Sequence, residues 1–265
     1  MNDTTLDPKA QTLAGDRAGT ARMKRATAMS PRAKARLAGV FEALEGTGSA
    51  AGQVVILGKL VVQGDAAATA HNILANEFLF RMGFLSSVAG VGFHLAWGLL
   101  IYQLLKPVNK TVSSLAAFVV IITSAMQALT AFLYLGPLLV LQGGNSVSGL
   151  STDQAQALAF VLIKLNGAAF NVDLAFFGAW CMLTGYLIWK SRFLPRLLGA
   201  LLALDGFGWA LYVWPPLATF LFPAIAVVSA FAEVPMQLWL IVMGVNNKRW
   251  TEQALEAGMT EPEWS

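Results

Sequence analysis

The chain has 265 residues, of which 56% are hydrophobic and only 12% are charged, about half of the roughly 25% that is usual in soluble domains. The formal charge of +3 is unevenly distributed: residues 1–36 carry +5, residues 37–245 carry 0 and residues 246–265 carry −2. This composition excludes a soluble globular protein. Nucleic acid is not an expected partner either, because contact with anionic lipid explains the basic tail better. Cys181 is the single cysteine, which excludes a disulfide within the chain.

Six apolar stretches are long enough to cross a bilayer as helices, since a crossing takes about 20 residues. They are residues 37–62, 77–105, 112–141, 167–189, 196–214 and 218–245. The fifth is closed by Pro215 and Pro216, because proline lacks the amide proton that a continuing helix needs. We therefore predict an all-α integral membrane protein with a six-transmembrane-helix bundle in residues 37–245. Residues 1–36 form a basic cytoplasmic tail and residues 246–265 a short cytoplasmic C-terminal tail, and residues 1–36 and 250–265 have the polar composition of mobile segments.

The distribution of basic residues predicts the orientation. If the chain crosses six times, fifteen of its eighteen Lys and Arg residues fall on one side. The positive-inside rule then places both termini in the cytoplasm, an N-in, C-in arrangement.

Two short helical segments are predicted on the outer side. Asp65 is placed to cap a helix over residues 66–75, and Ser151 with Gln154 has the spacing of a capping box. An unbroken helix from residue 154 to 190 would be about 55 Å long, which exceeds the bilayer. We therefore expect a break or bend near Asn166 and Gly167, with residues 154–165 lying at the outer interface.

Several sequence blocks in the middle of the chain match those of a known family. They are GDAAATA (64–70), NILA (72–75), Glu77, LFR (79–81), LLKPVN (104–109), FFG (176–178), GYLI (185–188), LPRLLG (194–199), Glu233, LWL (238–240) and GV (244–245). Through them the chain resembles a bacterial membrane family, domain-of-unknown-function family 4386. The resemblance implies a compact multi-helix domain in the bacterial inner membrane and brings no assigned activity. Glu42 and Glu45 depart from the mostly apolar first span of that family.

Seven polar side chains are predicted in the outer half of the bilayer: Glu77, Arg81, Gln127, Lys164, Asn171, Asp173 and Glu233. Ionisable groups cost about 2.5–3.5 kcal/mol at the centre of a membrane helix, so each needs a partner or a role. Glu77 and Arg81 are four residues apart on one helix and can pair. Two interpretations are open: an outward-facing polar cavity around Arg81, Asp173 and Glu233 that binds a small molecule or a proton, or an interhelical ion pair that only fixes the packing.

Four further ionisable groups are predicted in the inner half or near the middle: Glu42, Glu45, His94 and Asp205. Carboxylates and an imidazole from three helices are a donor set that suits a divalent cation or a proton relay. The alternative is that Glu42 and Glu45 pair with basic groups at the cytoplasmic interface and that Asp205 is neutral and hydrogen-bonded.

Small residues recur on two helices. Gly48 and Gly52 form a Gly-x-x-x-Gly pattern on the first span, and Gly178 and Gly185 are seven residues apart on the fourth. Such faces let helices approach closely, either within one chain or in a homodimer.

Three functions are consistent with these patterns. The first is a non-catalytic accessory or interaction subunit of a membrane complex, which should have both polar layers internally paired and dry. The second is a small-molecule or ion binder or transporter, which should have a connected cavity lined by the outer-layer charges. The third is a membrane metal protein or enzyme, which should bring its carboxylates and His94 to one metal or proton. The sequence does not identify a cofactor.

Overall fold

A computed structural model of the chain describes residues 29–143 and 149–259, and within them every regular element is helical. The helices are α1 (Pro31–Ser49), a π-helical segment (Ala50–Ile56), α2 (Leu57–Leu60), α3 (Ala66–Ala75), α4 (Glu77–Leu105), α5 (Lys110–Gln142), α6 (Thr152–Lys190), α7 (Arg196–Ala210), a 3₁₀ turn (Leu211–Val213), α8 (Pro215–Val242) and α9 (Asn247–Glu256). Among these residues, five helices are long and apolar enough to cross a membrane: α4, α5, α6, α7 with its 3₁₀ turn, and α8. Many large apolar side chains on them are exposed, as on a membrane protein.

The helix ends follow the predicted capping residues. Asp65 accepts a hydrogen bond from the Ala68 amide at 2.8 Å, and α3 has the predicted bounds. Ser151 and Gln154 form the reciprocal capping box at the start of α6. Pro215 lies at the start of α8, after α7 has ended in its 3₁₀ turn.

The predicted break near Asn166 is absent, and this expectation was wrong. Helix α6 runs for 39 residues from Thr152 to Lys190, which corresponds to about 58 Å. The Asn166 side chain is instead buried and donates to the Thr130 carbonyl oxygen of α5 at 2.7 Å. Because α5 accepts from the amide nitrogen, that group does not have to compete for the backbone of its own helix.

The first predicted span, residues 37–62, corresponds to α1, the π-helical segment and α2. It is not among the five crossing helices above, because Glu42 and Glu45 lower its hydropathy and the π-helical segment interrupts the α-helix. A π segment carries an extra residue in its turn and occurs most often at functional sites.

Ordered structure extends beyond residues 37–245 at both ends. Ser30 caps α1 by accepting from the Ala33 amide, so the helix includes residues 31–36 of the predicted tail. In the predicted C-terminal tail, α9 buries Trp250, whose indole Nε1 donates to the Leu104 carbonyl oxygen at 2.8 Å. Residues 1–28 and 260–265 of these tails lie outside the described residues.

The long helices form a ring in chain order. Helix α1 packs on α4, α4 on α5, α5 on α6, α6 on α7, α7 on α8, and α8 returns to α1. Both small-residue faces are used inside this ring. Gly52 lies against the Gly83 carbonyl oxygen of α4, and Gly178 lies against Gly206 of α7. A homodimer would therefore have to use a different face.

Candidate functional site

A cavity of about 390 Å³ lies inside the ring of helices. Its wall is formed by α1 with the π-helical segment, α4, α5, α6, α7 with its 3₁₀ turn, and α8, so every member of the ring contributes a side chain. The lining residues Val54 and Phe222 are 62% and 48% exposed, which places the opening of the cavity beside them. The lining includes the carboxyl groups of Glu45, Asp173 and Glu233 and no Lys or Arg from the described part of the chain.

One wall of the cavity is a hydrogen-bonded chain centred on His94. The Thr123 hydroxyl donates to the backbone carbonyls of Val119 and Val120, so its oxygen accepts from His94 Nε2 at 2.8 Å. This fixes the proton on Nε2 and leaves Nδ1 as the acceptor facing the Gln127 amide nitrogen at 3.4 Å. The imidazole is therefore neutral, and it does not supply a positive charge to the cavity.

The Gln127 amide also donates to the Glu45 Oε1 atom at 3.2 Å. It thereby joins Glu45, which was predicted in the inner layer, to a residue predicted in the outer layer. The prediction of two separate polar layers was wrong. One cavity is lined by residues from both layers: Gln127, Asn171, Asp173 and Glu233 from the outer, and Glu45 and His94 from the inner.

Asp173 is the lining carboxyl group with the least compensation. Asp173 is only 4% exposed, and its Oδ1 atom is buried without a hydrogen-bond partner among the described residues. Leaving such a buried acceptor unsatisfied costs about 1–3 kcal/mol, and more when it is charged.

Glu233 belongs to a second polar cluster at the back of the cavity. The Trp209 indole Nε1 lies 2.9 Å from Glu233 Oε1 and 3.1 Å from Asp205 Oδ2, so one N–H faces two carboxyl groups. Asp205 is fully buried and accepts a further hydrogen bond from the Ser229 hydroxyl. Cys181 lies 4.0 Å from Asp205 Oδ2.

The two basic residues of the predicted outer layer are engaged elsewhere. Arg81 pairs with Glu77 at 2.7 Å, as the four-residue spacing predicted, and also contacts Gln142. Lys164 donates to Gln63 at 2.7 Å. Glu77, Arg81 and Lys164 therefore lie outside the cavity, and the predicted grouping of Arg81 with Asp173 and Glu233 is corrected.

The four candidate metal ligands are not gathered round one point. Glu45 and His94 line the cavity, Asp205 lies behind Trp209, and Glu42 is outside the lining with its Oε2 atom buried and unpartnered. Within residues 29–143 and 149–259, no group of three or more His, Cys, Asp or Glu side chains is arranged to hold a metal ion.

Aromatic rings form the rest of the wall. Phe177 packs against Trp209 with ring centroids 6.3 Å apart, and Trp209 packs against Tyr212 at 5.7 Å. These three rings line the cavity together with Phe170 and Phe222. The cavity therefore combines carboxyl groups with aromatic faces, the two protein groups that attract an organic cation.

The comparison with protein-family models identifies the domain that contains this cavity. The model described as Domain of unknown function (DUF4386) matches residues 37–244. The chain belongs to this family. The DUF4386 region includes every residue that lines the cavity and ends before α9. No curated protein and no solved structure matches the chain.

Several side chains that line the cavity of this DUF4386 domain were not predicted from the sequence. Trp209 and the aromatic wall were not predicted, because large aromatic residues are common on lipid-facing helices. One signal was present: Trp209 follows Asp205 by four residues, the spacing that puts two side chains on one helix face. Thr123 carried no comparable signal.

Proposed function

We propose that this DUF4386 protein binds a small organic monocation, an amine or a quaternary ammonium ion, in the cavity inside its membrane domain, as a receptor or carrier. The observation that carries the proposal is the cavity lining, which in residues 29–143 and 149–259 consists of three carboxyl groups, a wall of aromatic rings and no basic side chain. A cation would supply the positive charge that Asp173, with its unpartnered oxygen, lacks.

The size of the cavity favours an organic ion over a bare metal ion. A volume of about 390 Å³ falls within the range of roughly 300–1,000 Å³ that is usual for small-molecule pockets. A metal ion would need several ligands within about 2.0–2.6 Å of one point. The dispersed carboxyl groups suit a larger cation whose charge is spread over methyl or methylene groups next to the rings.

The binding role is better supported than the accessory role. An accessory subunit was expected to have its polar layers paired and dry. The open cavity and the unpartnered Asp173 oxygen depart from that expectation. The bilayer is the partner that the apolar helix surfaces fit.

We further propose that the helix formed by α1, the π-helical segment and α2 is a sixth crossing, and that both termini lie in the cytoplasm of a bacterium with the domain in its inner membrane. The charge asymmetry supports this orientation. We expect green fluorescent protein fused after residue 265 to fluoresce and alkaline phosphatase at the same point to be inactive. Alkaline phosphatase fused after residue 63, in the loop that follows α2, should be active. The opposite pattern at either fusion point would contradict the six-crossing map.

A pair of isosteric ligands tests the charge requirement. Choline and 3,3-dimethyl-1-butanol have nearly the same shape, but only choline is charged. We expect calorimetric titration of the purified protein in non-ionic detergent to give a Kd for choline at least about tenfold lower than for the alcohol, a difference of 1.4 kcal/mol or more. Tetraethylammonium tests the size limit. Equal binding of the charged and neutral compounds, or binding of neither choline nor tetraethylammonium, contradicts the proposal.

A further inference from the structure

We propose that the cation exchanges with a proton held between Glu233 and Asp205, so that binding of one monocation releases one proton from this carboxyl pair. The proposal rests on the binding function above and adds a coupled ion to it. Its consequence is that the protein acts as a proton-linked exchanger of organic cations rather than as a passive receptor.

The carboxyl groups of Glu233 and Asp205 lie close together, on either side of one indole N–H. Trp209 Nε1 lies within 3.1 Å of one oxygen from each carboxyl group, so the two groups converge on a single N–H. Two carboxylates that face one neutral donor repel each other strongly in a low-dielectric site, and the usual resolution is that they share one proton. The pair therefore carries a net charge of −1 before the cation arrives.

The groups around the pair do not neutralise it. They are Glu42 and Glu45 from α1, His94 from α4, and Asp173 and Cys181 from α6. His94 is neutral by its hydrogen bonds, and the others are acids or a thiol. No cation in the described part of the cavity wall removes the need for the proton.

Hydrogen bonding indicates which member of the pair holds the proton. Asp205 is fully buried and accepts from both Ser229 and Trp209, which favours its ionised form. Glu233 accepts from Trp209 alone and also lines the cavity. Glu233 is therefore the proton carrier, and it is also the member that an incoming cation contacts.

Charge balance favours exchange over simple binding. When the cation enters, the Glu233 O–H bond breaks, the proton passes to water, and the Glu233 carboxylate pairs with the cation. The cavity charge is the same before and after the exchange. This keeps the electrostatic cost of both states low inside the bilayer, where an uncompensated charge is expensive.

The test measures protons and cations separately. Tetraethylammonium is titrated into the purified protein in weakly buffered non-ionic detergent with a pH-sensitive dye, while calorimetry counts the bound cation. We expect about one proton released per cation bound in the wild-type protein. Glu77→Gln is the matched control, because it removes a carboxyl group outside the cavity, and its release should equal that of the wild type.

Infrared difference spectra identify the group that loses the proton. Cation binding should remove a protonated-carboxyl C=O band in the wild type and in Glu77→Gln, and this negative band should be absent in Glu233→Gln. Cation binding without proton release, or a negative band that persists in Glu233→Gln, would overturn the exchange while leaving the binding function intact. Absence of any binding would instead contradict the binding function itself.

Discussion

Asp173→Asn is expected to weaken tetraethylammonium binding about 30-fold or more, the low end of the 2–5 kcal/mol that follows removal of one partner of a buried charge pair. Asparagine keeps the shape of the side chain but has no negative charge and carries an NH2 group in place of one oxygen, so the loss measures the replacement of a carboxylate that attracts the cation by a neutral amide. The measurement is calorimetric titration of the wild type and the variant in the same detergent. Glu77→Gln, the matched control outside the cavity, should change the Kd less than about twofold, as expected for an exposed group.

The same substitution should change stability in the opposite direction. The Asp173 Oδ1 atom has no partner among the described residues, and burying an uncompensated carboxylate charge destabilises the folded state more than burying a neutral amide does. Ligand-free Asp173→Asn should therefore have a higher Tm than the ligand-free wild type. If Asp173 served only to pack the helices, its replacement would lower both the Tm and the affinity for the cation. That result would contradict the role of Asp173 as a binding residue.

Gly206→Ala is expected to destabilise the protein by about 1–3 kcal/mol, because overpacking a tight helix contact costs about this much. A Cβ atom at position 206 would lie 2.6 Å from the Gly178 carbonyl oxygen and 2.9 Å from the Met182 amide nitrogen. These are backbone atoms of α6, so they cannot move aside as a flexible side chain can. Thermal unfolding in detergent, followed by circular dichroism, should show a lower Tm. Gly92→Ala is the control, since a Cβ there meets nothing within 4 Å.

A double substitution locates this effect at the α6–α7 contact. Gly178→Ala meets Gly206 and Ala210 backbone atoms from the other side of the same interface. Once one added Cβ has separated the helices, the second should destabilise the protein less. The loss of stability in the double variant should therefore be smaller than the sum of the losses in the two single variants. Strict additivity would show that the two glycines act independently. Binding should weaken as well, because α6 carries Asp173 and α7 carries Trp209.

The helical architecture was largely predictable because its determinants are local. Apolar runs of about 20 residues specify crossing helices wherever they occur. Helix ends depend on single residues such as Asp65 and Ser151, whose side chains reach only the first turn. The i,i+4 pair of Glu77 and Arg81 was predicted for the same reason. None of these features needs information from another helix.

The predictions that failed required knowledge of a neighbouring helix. The break in α6 was inferred from its length and placed near Asn166, but the amide nitrogen of that residue donates to Thr130 of α5 and the helix continues through it. The separation of Glu45 from Asp173 rested on depths inferred from span edges, whereas α1 begins at Pro31 and is followed by a π-helical segment. An apolar membrane helix also carries little sequence signal of which side faces inward, because lipid and the protein interior are both apolar.

The amino-acid sequence determined that this chain is a helical membrane protein of the DUF4386 family, where the capped helices α3 and α6 begin, and which side chains are too polar to face lipid. Only the tertiary structure decided that Glu45, His94, Asp173 and Glu233 meet at one cavity while Arg81 and Lys164 lie outside it. The physical reason is that helix formation depends on hydrogen bonds between residues a few positions apart. The rotation of each helix about its axis depends instead on contacts such as Gly178 with Gly206, which exist only when the ring of helices is assembled.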